Sequence, residues 1–441
     1  MSADAVELTV DSIAAGGSGV GRTEAGQVVF VPRTAPGDRV VAKLTERHRR
    51  WARGRVVEWL AAGPGRVEPP CPIFETCGGC RLQHLDTAPQ HEALERVVAD
   101  ALQRIGGRAV PVRPMVAAGP RFGTRNRVTF TLRREQGRVR AGYHAESGPG
   151  LIEVRRCLLA EPAIRDAWDA LREAWGPDAE RLPRGRELRL TLRATATGAV
   201  GLFVEGGPPS GAPPPAAAQV LLAATPGLVS WWWAPTGTAA RHMGGAEFLE
   251  ERWDGVDLRL RPRAFLQVNR HVAPLMERHL DAELGNLDGR SVLDLYAGVG
   301  SRAIRWARAG AMAVAVEREP DAVETGREAA ERAGSGARFV RGTVEAALAG
   351  LGAAEAVVVN PPRSGLSAEA ADALAAFPAR RLAYVSCDPA TLARDMKRLA
   401  TGWAPAFAQP FDAFPHTGHV ETVLWLERIP EPDGDGGATG T

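Results

Sequence analysis

An α/β chain of three units is predicted, and three observations predict it. From residue 264 onward, apolar strand-like runs alternate with helical stretches, the order of a doubly wound, mostly parallel sheet. Residues 5–60 hold only short alternating apolar runs divided by glycine turns, the pattern of a small all-β unit. Between them, several strand pairs and a long helical stretch predict a central α+β unit. The expected organisation is 1–60, 71–260 and 261–430, with 61–70 a Gly/Pro-rich linker and 431–441 a polar, glycine-rich tail expected to be disordered.

In the first unit, strand runs at 6–13, 28–31, 39–44 and 52–59 are separated by Gly16-Gly17, Gly19-Val20-Gly21, Gly26 and Pro36-Gly37-Asp38. Four or five strands in so short a span suggest a barrel of the OB type, a shape that often binds oligonucleotides. The central unit opens on a turn-rich knot, 71–80. A helix at 89–104 follows, then strands at 128–132, 139–143, 151–155, 188–192 and 200–204; the Pro/Gly/Ala-rich stretch 206–218 reads as a surface insertion. In the last unit the strands are 291–295, 313–317, 337–341, 356–360, 381–386 and 420–426, with helices at 302–309, 321–333, 368–376 and 390–399.

Composition excludes several classes. No run of 18 apolar residues occurs, so no membrane span is expected. Asp4 and Glu7 stand where a signal peptide would be basic and then apolar, so the expected location is the cytoplasm. Net charge is only +2, and the basic residues are 52 Arg and two Lys, as a GC-rich coding sequence produces. Distribution is more informative: residues 39–55 and 121–140 each carry seven basic residues and one acid, two candidate phosphate-binding faces against the plainer alternative of solvated surface.

The run Ser291-Val-Leu-Asp-Leu-Tyr-Ala-Gly-Val-Gly300 is an apolar strand, an acid, then a Gly-x-Gly turn into a helix. Glycines let the backbone approach a bound nucleoside, and Glu317, ending the next strand, is placed to accept hydrogen bonds from ribose hydroxyls. A dinucleotide site competes, because Gly298-x-Gly300-x-x-Ala303 fits the relaxed fingerprint. Asp294 before the glycines and Asn360-Pro361-Pro362 after a later strand favour S-adenosylmethionine.

Cys387 follows a buried strand in a Ser-Cys-Asp-Pro turn, on the edge that Asp294, Glu317 and Asn360 would share. A cysteine there suits uracil chemistry. Carbon 5 is too weak a nucleophile to take a sulfonium methyl unless a thiolate first adds to carbon 6; a base must then remove the carbon 5 proton. Phe414-Pro-His416-Thr-Gly-His419-Val-Glu421 offers that base, Glu421 by preference, with His416 and His419 as alternatives.

Five cysteines in a chain without a secretion signal argue against a disulfide framework. Cys71, Cys77 and Cys80 fall within ten residues and, with Cys157, form a four-thiolate set suited to [4Fe–4S] or to zinc. Spacing does not choose between the two.

Together these motifs resemble the RNA 5-methyluridine (uracil-C5) methyltransferase family, in particular its iron–sulfur branch with the 23S ribosomal RNA enzymes. The similarity runs over 5–427. It rests above all on Ser-Cys387-Asp-Pro-x-Thr-Leu-Ala-Arg-Asp and Phe-Pro-His-Thr-x-His-Val-Glu421. Residues 5–60 look like the family's RNA-binding TRAM domain, and Arg125-Asn126-Arg127 and Phe265-Leu-Gln267-Val-Asn269 resemble two further family motifs. The resemblance implies an N-terminal OB-like TRAM barrel, a central α+β domain whose four cysteines hold [4Fe–4S], and a Rossmann-like class I methyltransferase domain. It implies Cys387 as nucleophile and Glu421 as base. It also implies S-adenosylmethionine contacts from Gln267, Tyr296, Ser301, Glu317, Thr343 and Asn360. The partner is RNA, 23S rRNA in preference to tRNA, and the expected state is a monomer.

Some positions depart from the family. Asn360-Pro-Pro-Arg363 stands where Asp-Pro-Pro-Arg is usual, Ser301 where Asn is common, and Ala297 where Cys is frequent. Asp388 replaces an Asn beside the nucleophile and by like-charge repulsion should oppose thiolate formation. Asn360 and Asp388 motivate a non-catalytic RNA-binding or chaperone descendant as the alternative. Cys387, Glu421, Glu317 and the glycine loop oppose that reading. An iron–sulfur redox protein lacks a second cofactor motif. Trp231-Trp232-Trp233 is assigned to core or strand edge before RNA stacking.

Overall fold

The structure is a computed structural model that describes residues 5–146, 148 and 150–430; the expected tail at 431–441 lies outside them. Strands β1 (Ala5–Ile13), β2 (Ser18–Arg22), β3 (Val28–Pro32), β4 (Arg39–Arg47) and β5 (Trp51–Ala61) close into a barrel in the order β1-β2-β3-β5-β4. Period-two alternation turns Leu8, Val10, Val29, Val31, Val40, Ala42 and Ala52 inward as its core. The turn after β3 is tied to the linker by buried Asp38, whose carboxylate accepts from the Ala35 and Gly63 amides and from Arg66.

Helix α1 (Thr87–Arg104) leads to a central seven-stranded sheet. Its strands are β6 (Arg127–Glu135), β7 (Arg138–His144), β8 (Leu151–Glu153), β9 (Glu187–Ala194), β10 (Val200–Glu205), β11 (Leu228–Ala234) and β12 (Arg241–Gly245), ordered β12-β11-β10-β9-β6-β7-β8. Helices α2 (Pro162–Ala174) and α3 (Ala217–Ala224) cover the face carrying Phe130, Leu190, Leu192, Val204, Trp231 and Trp233. Both of those tryptophans are core. The stretch 206–218, expected to be a surface insertion, is the crossover that leads into α3 and joins the parallel pair β10–β11.

A hairpin, β13 (Leu249–Trp253) and β14 (Val256–Leu260), and helix α4 (Ala273–Leu284) precede the C-terminal sheet. That sheet contains β15 (Ser291–Leu295), β16 (Met312–Glu317), β17 (Arg338–Arg341), β18 (Ala354–Val359), β19 (Ala379–Ser386), β20 (Trp403–Phe411) and β21 (Glu421–Arg428). The connecting helices are α5 (Ser301–Arg308), α6 (Pro320–Arg332), α7 (Val344–Leu348), α8 (Ala368–Ala376) and α9 (Pro389–Leu399). The order is β17-β16-β15-β18-β19-β21-β20; β15 to β19 are parallel and β21 is antiparallel. The chain leaves β15 to one side for β16 and returns to the other for β18. The ligand crevice of such a sheet lies at that switch point, beyond the strand C-termini. Among the described residues no helix is long and apolar enough to cross a membrane.

Packing differs from the expected division at two places. The helix read into the central unit, α1, packs on α9, and Leu94, Val98 and Leu102 join Leu392, Met396 and Leu399 in one core. The β13–β14 hairpin packs on α5 and α6. An apolar helical stripe shows that a partner exists but not which one. Strand β20 was not expected because Pro405 and Pro410 interrupt it. It forms on the flank of the sheet, with a bulge beside Pro405, where a missing N–H is tolerated.

Candidate functional site

The sheet's C-terminal edge gathers most of the predicted residues. After β15 the backbone turns through Tyr296, Gly298 and Gly300, all at positive φ (58°, 58° and 66°). A Cβ on Gly300 would meet the Phe339 ring at 2.5 Å, so glycine is required there. Glu317 fastens this loop: one carboxylate oxygen accepts from the Gly298 amide at 2.9 Å, the other from the Arg318 and Glu319 amides at 2.8 and 2.9 Å. Gln267, Tyr296, Ser301 and Asn360 line one cavity. Thr343 is not with them; it is exposed at the N-cap of α7, beyond β17.

The same cavity is lined by a charge network that sequence reasoning missed. Buried Arg302 donates to Glu277 (2.8 and 2.7 Å) and to Asp294 (2.9 Å). Burial raises the Asp294 carboxyl to about 6 against the opposing pull of Arg302. The signal was Arg302 itself, a charged residue on the α5 stripe that also carries Ala303 and Trp306.

Gln267 also lines a second, smaller cavity, together with Glu421 and Phe411. Antiparallel pairing of β19 with β21 matches Ser386 to Thr422, so Cys387, one residue past β19, lies within range of the Glu421 charge. Burial pushes the Cys387 thiol up to about 11, and Glu421 adds to the rise. Arg363 opposes it through its charge and a hydrogen bond to the thiol. Burial likewise lifts Glu421 to about 7, with Arg363 and Arg302 drawing it down. Arg363 was visible in the Asn-Pro-Pro-Arg motif but had been given no role. Asp388, expected to oppose the thiolate, is the N-cap of α9, its carboxylate accepting from the Thr391 amide at 2.8 Å. Its charge raises the thiol, as expected, though by less than burial and Glu421 do.

The segment that delivers Glu421 is held from three sides. His416, at φ 64°, stacks on Phe122 and shares its Nδ1 with the Gln90 amide nitrogen at 3.2 Å. Burial lowers its imidazole to about 4, so it is neutral near pH 7. Its carbonyl accepts from the Arg81 and Leu82 amides at 2.9 and 3.0 Å, directly after Cys80. Gly418 abuts the barrel: a Cβ there would meet the Gly16 backbone at 2.6 Å. Gly418→Ala should therefore displace the base, lowering kcat roughly 10²-fold while leaving S-adenosylmethionine affinity intact. Single-turnover kinetics beside calorimetry checks this, and an unchanged kcat would show the contact to be dispensable.

Two quoted motifs meet behind Gln267. Asn126 donates its side-chain amide to the Gln267 carbonyl (3.0 Å) and its backbone amide to Val268 (2.9 Å). Of the two basic stretches, 121–140 is largely consumed internally. Arg121 pairs with Asp412, and Arg134 donates to the carbonyls of Asp178, Ala179, Pro183 and Gly185. In 39–55, by contrast, Lys43, Arg49, Arg50 and Arg55 are exposed on the barrel.

Cys71, Cys77 and Cys80 each sense the charge of Cys157, so the fold brings the four to one neighbourhood. Tyr143 bonds to Cys157, and the Gly79 amide donates to the Cys77 sulfur at 3.4 Å. Burial pushes the Cys80 thiol up to about 12. Among the described residues no group of three or more Cys, His, Asp or Glu stands in metal-holding geometry. The donors are all thiols, a ligand chemistry that suits an iron–sulfur cluster or zinc.

The barrel and the C-terminal domain both have counterparts among known proteins. Residues 351–429 match the family described as tRNA (Uracil-5-)-methyltransferase, 4–57 the TRAM domain, and 279–383 a precorrin methyltransferase domain. An uncharacterized RNA methyltransferase of Gloeobacter violaceus is 35% identical, over 96% of both chains. One of Thermosynechococcus vestitus is 33% identical, over 96% of this chain and 97% of that one. Among solved structures, the Pyrococcus abyssi tRNA (uracil-54, C5)-methyltransferase in complex with S-adenosyl-L-homocysteine superposes with a TM-score of 0.70. It is 26% identical and the match covers 95% of this chain and 99% of that one.

Proposed function

The chain belongs to the RNA uracil-5-methyltransferase family, and from that premise we propose that it methylates carbon 5 of a uridine through a covalent adduct at Cys387. S-adenosylmethionine, held by Gln267, Tyr296, Ser301, Glu317 and Asn360, supplies an electrophilic methyl group. Thr343 is the cofactor contact that the geometry supports least. The Cys387 thiolate adds to carbon 6, making carbon 5 an enolate carbon that attacks the methyl and releases S-adenosylhomocysteine. Glu421 then takes the carbon 5 proton. The C–H electrons restore the 5,6 double bond, and the thiolate leaves. Arg363 stabilises the thiolate before addition and after departure. The observation that supports this reading is the nearness of Cys387 to Glu421, whose charge acts on the thiol, with Gln267 lining both the cavity of Glu421 and that of Tyr296 and Asn360.

We take 23S rRNA as the substrate, on the TRAM barrel and the four-cysteine set, in the cytoplasm. A specific observation favours tRNA as the second reading: the archaeal enzyme sharing this fold across its whole length acts on tRNA. Quantifying 5-methyluridine in each RNA class after deleting the gene separates the two. Loss confined to rRNA supports the first, loss confined to tRNA the second, and no loss in either contradicts uridine methylation.

Cys71, Cys77, Cys80 and Cys157 would hold a [4Fe–4S] cluster, or zinc, in a structural role. The amides of Arg81 and Leu82 join that knot to His416, so removing the metal should loosen the segment carrying Glu421. Chelation of anaerobically purified protein is expected to raise amide exchange across 71–82 and 412–420 and to slow turnover, with cofactor binding retained. Unchanged exchange in those segments would detach the cysteines from the site.

A further inference from the structure

The central sheet has two unlike faces. One is apolar and covered by α2 and α3. The other carries Arg193 and Thr191 from β9, Phe203 from β10, and Ser230 and Trp232 from β11, brought together by register. Where the β13–β14 hairpin meets this second face, these residues and Arg261 line a small, partly open cavity.

Its polar lining is one-sided. Arg193 is only 7% exposed; one guanidinium nitrogen holds the Ala264 carbonyl at 2.6 Å, and the other, Nη1, has no acceptor. Arg261 gives Nη2 to Glu328 at 2.7 Å and leaves Nη1 without an acceptor. The Trp232 indole N–H is likewise buried and unmatched. Burying donors without acceptors is unfavourable, so three around one cavity point to a missing acceptor-rich group. Burial, and next the neighbouring Arg127, lowers the Arg193 guanidinium to about 9, as expected of a cation short of counter-charge. Glu251 is the acid near Arg193, and it is engaged by Arg270 and the Ala196 amide. Arg263 stands over Phe203 at 5.9 Å and adds to the positive surroundings.

We propose that this cavity is an anion subsite that takes one backbone phosphate of the RNA substrate, bound by Arg193 Nη1, Arg261 Nη1 and the Trp232 N–H. A phosphodiester offers acceptor oxygens, negative charge and no donor, the complement of this lining. Its position gives it a use. Arg261 and Pro262 wall the cavity, while Phe265, Leu266 and Gln267, a few residues on, wall the cofactor cavity. A phosphate fixed here sets the register of the strand whose uridine must enter beside Gln267.

This rests on the RNA-methylation reading, and the test separates the two. RNA binding and methylation are measured across a salt series with unmodified tRNA transcript and 23S rRNA fragments, for wild type, Arg261→Gln and Trp232→Phe. Neither substitution removes the contact of Arg193 with Ala264, and thermal unfolding verifies folding. Arg261→Gln is expected to weaken RNA binding and raise KM roughly tenfold. It should flatten the slope of log Kd against log salt by up to about 1, without altering S-adenosylmethionine affinity. Trp232→Phe is expected to do less, in the same direction and with an unchanged slope. RNA affinity and slope at wild-type values in folded variants would overturn the subsite. So would loss of cofactor affinity alone, which would put the cofactor's carboxylate there. Wild type that binds RNA but methylates no uridine would defeat the functional reading, while variant affinities would still judge the subsite.

Discussion

Cys387→Ala is expected to abolish methyl transfer, by at least roughly 10⁴-fold, with S-adenosylmethionine binding intact. The thiol lies beyond β19 and does not line the cavity of Gln267, Tyr296 and Asn360, so its removal leaves that lining unchanged. Carbon 5 is then left at its native nucleophilicity. Cys387→Ser should be almost as inactive, because a hydroxyl beside Glu421 is harder to ionise than a thiol already raised to about 11. Methylation retained within tenfold in either variant would exclude the adduct.

Glu421→Gln is expected to slow turnover roughly 10²- to 10⁴-fold, and to do so after methyl transfer. Once the Cys387 proton has passed to solvent, addition to carbon 6 and methylation do not call on Glu421, so a methylated protein–RNA adduct should accumulate and appear as a retarded band. Adduct formation should not slow, because removing the carboxylate removes one of the charges that raise the Cys387 thiol. The pH profile carries a sign. Burial raises Glu421 to about 7, so the neutral acid predominates below that value and the base form above it. The proton-removal step should therefore quicken as pH rises from about 5 through 7 and level above. The Gln variant should lose that limb. A limb retained in the variant would assign the base to another group.

The sheet's long apolar runs and its glycine turn made the fold legible, because strands buried on both faces tolerate little else. The candidate residues at strand ends were legible for the same reason. Asp294, Glu317, Asn360 and Cys387 end or follow predicted strands, and topology brings such ends together. What was not legible depends on contacts distant in sequence. The docking of α1 on α9, the clasp of Gln90 on His416 and the approach of Gly418 to Gly16 leave no local pattern. Arg302 and Arg363 are two arginines among 52, and only burial beside Asp294 and a bond to Cys387 set them apart. Asp388 raises the Cys387 thiol, as its like charge implied, but its second role as the cap of α9 was not legible.

The most direct measurement incubates anaerobically purified protein with S-adenosylmethionine and 5-fluorouridine-substituted 23S rRNA fragments or tRNA, beside Cys387→Ala. Fluorine cannot leave as a proton, so Glu421 has nothing to remove and the reaction should stall. A covalent protein–RNA adduct that requires both Cys387 and the cofactor is the predicted result, and sequencing the trapped RNA identifies the uridine. Folded wild type that methylates ordinary RNA yet forms no adduct, or an adduct that persists in Cys387→Ala, would contradict the mechanism.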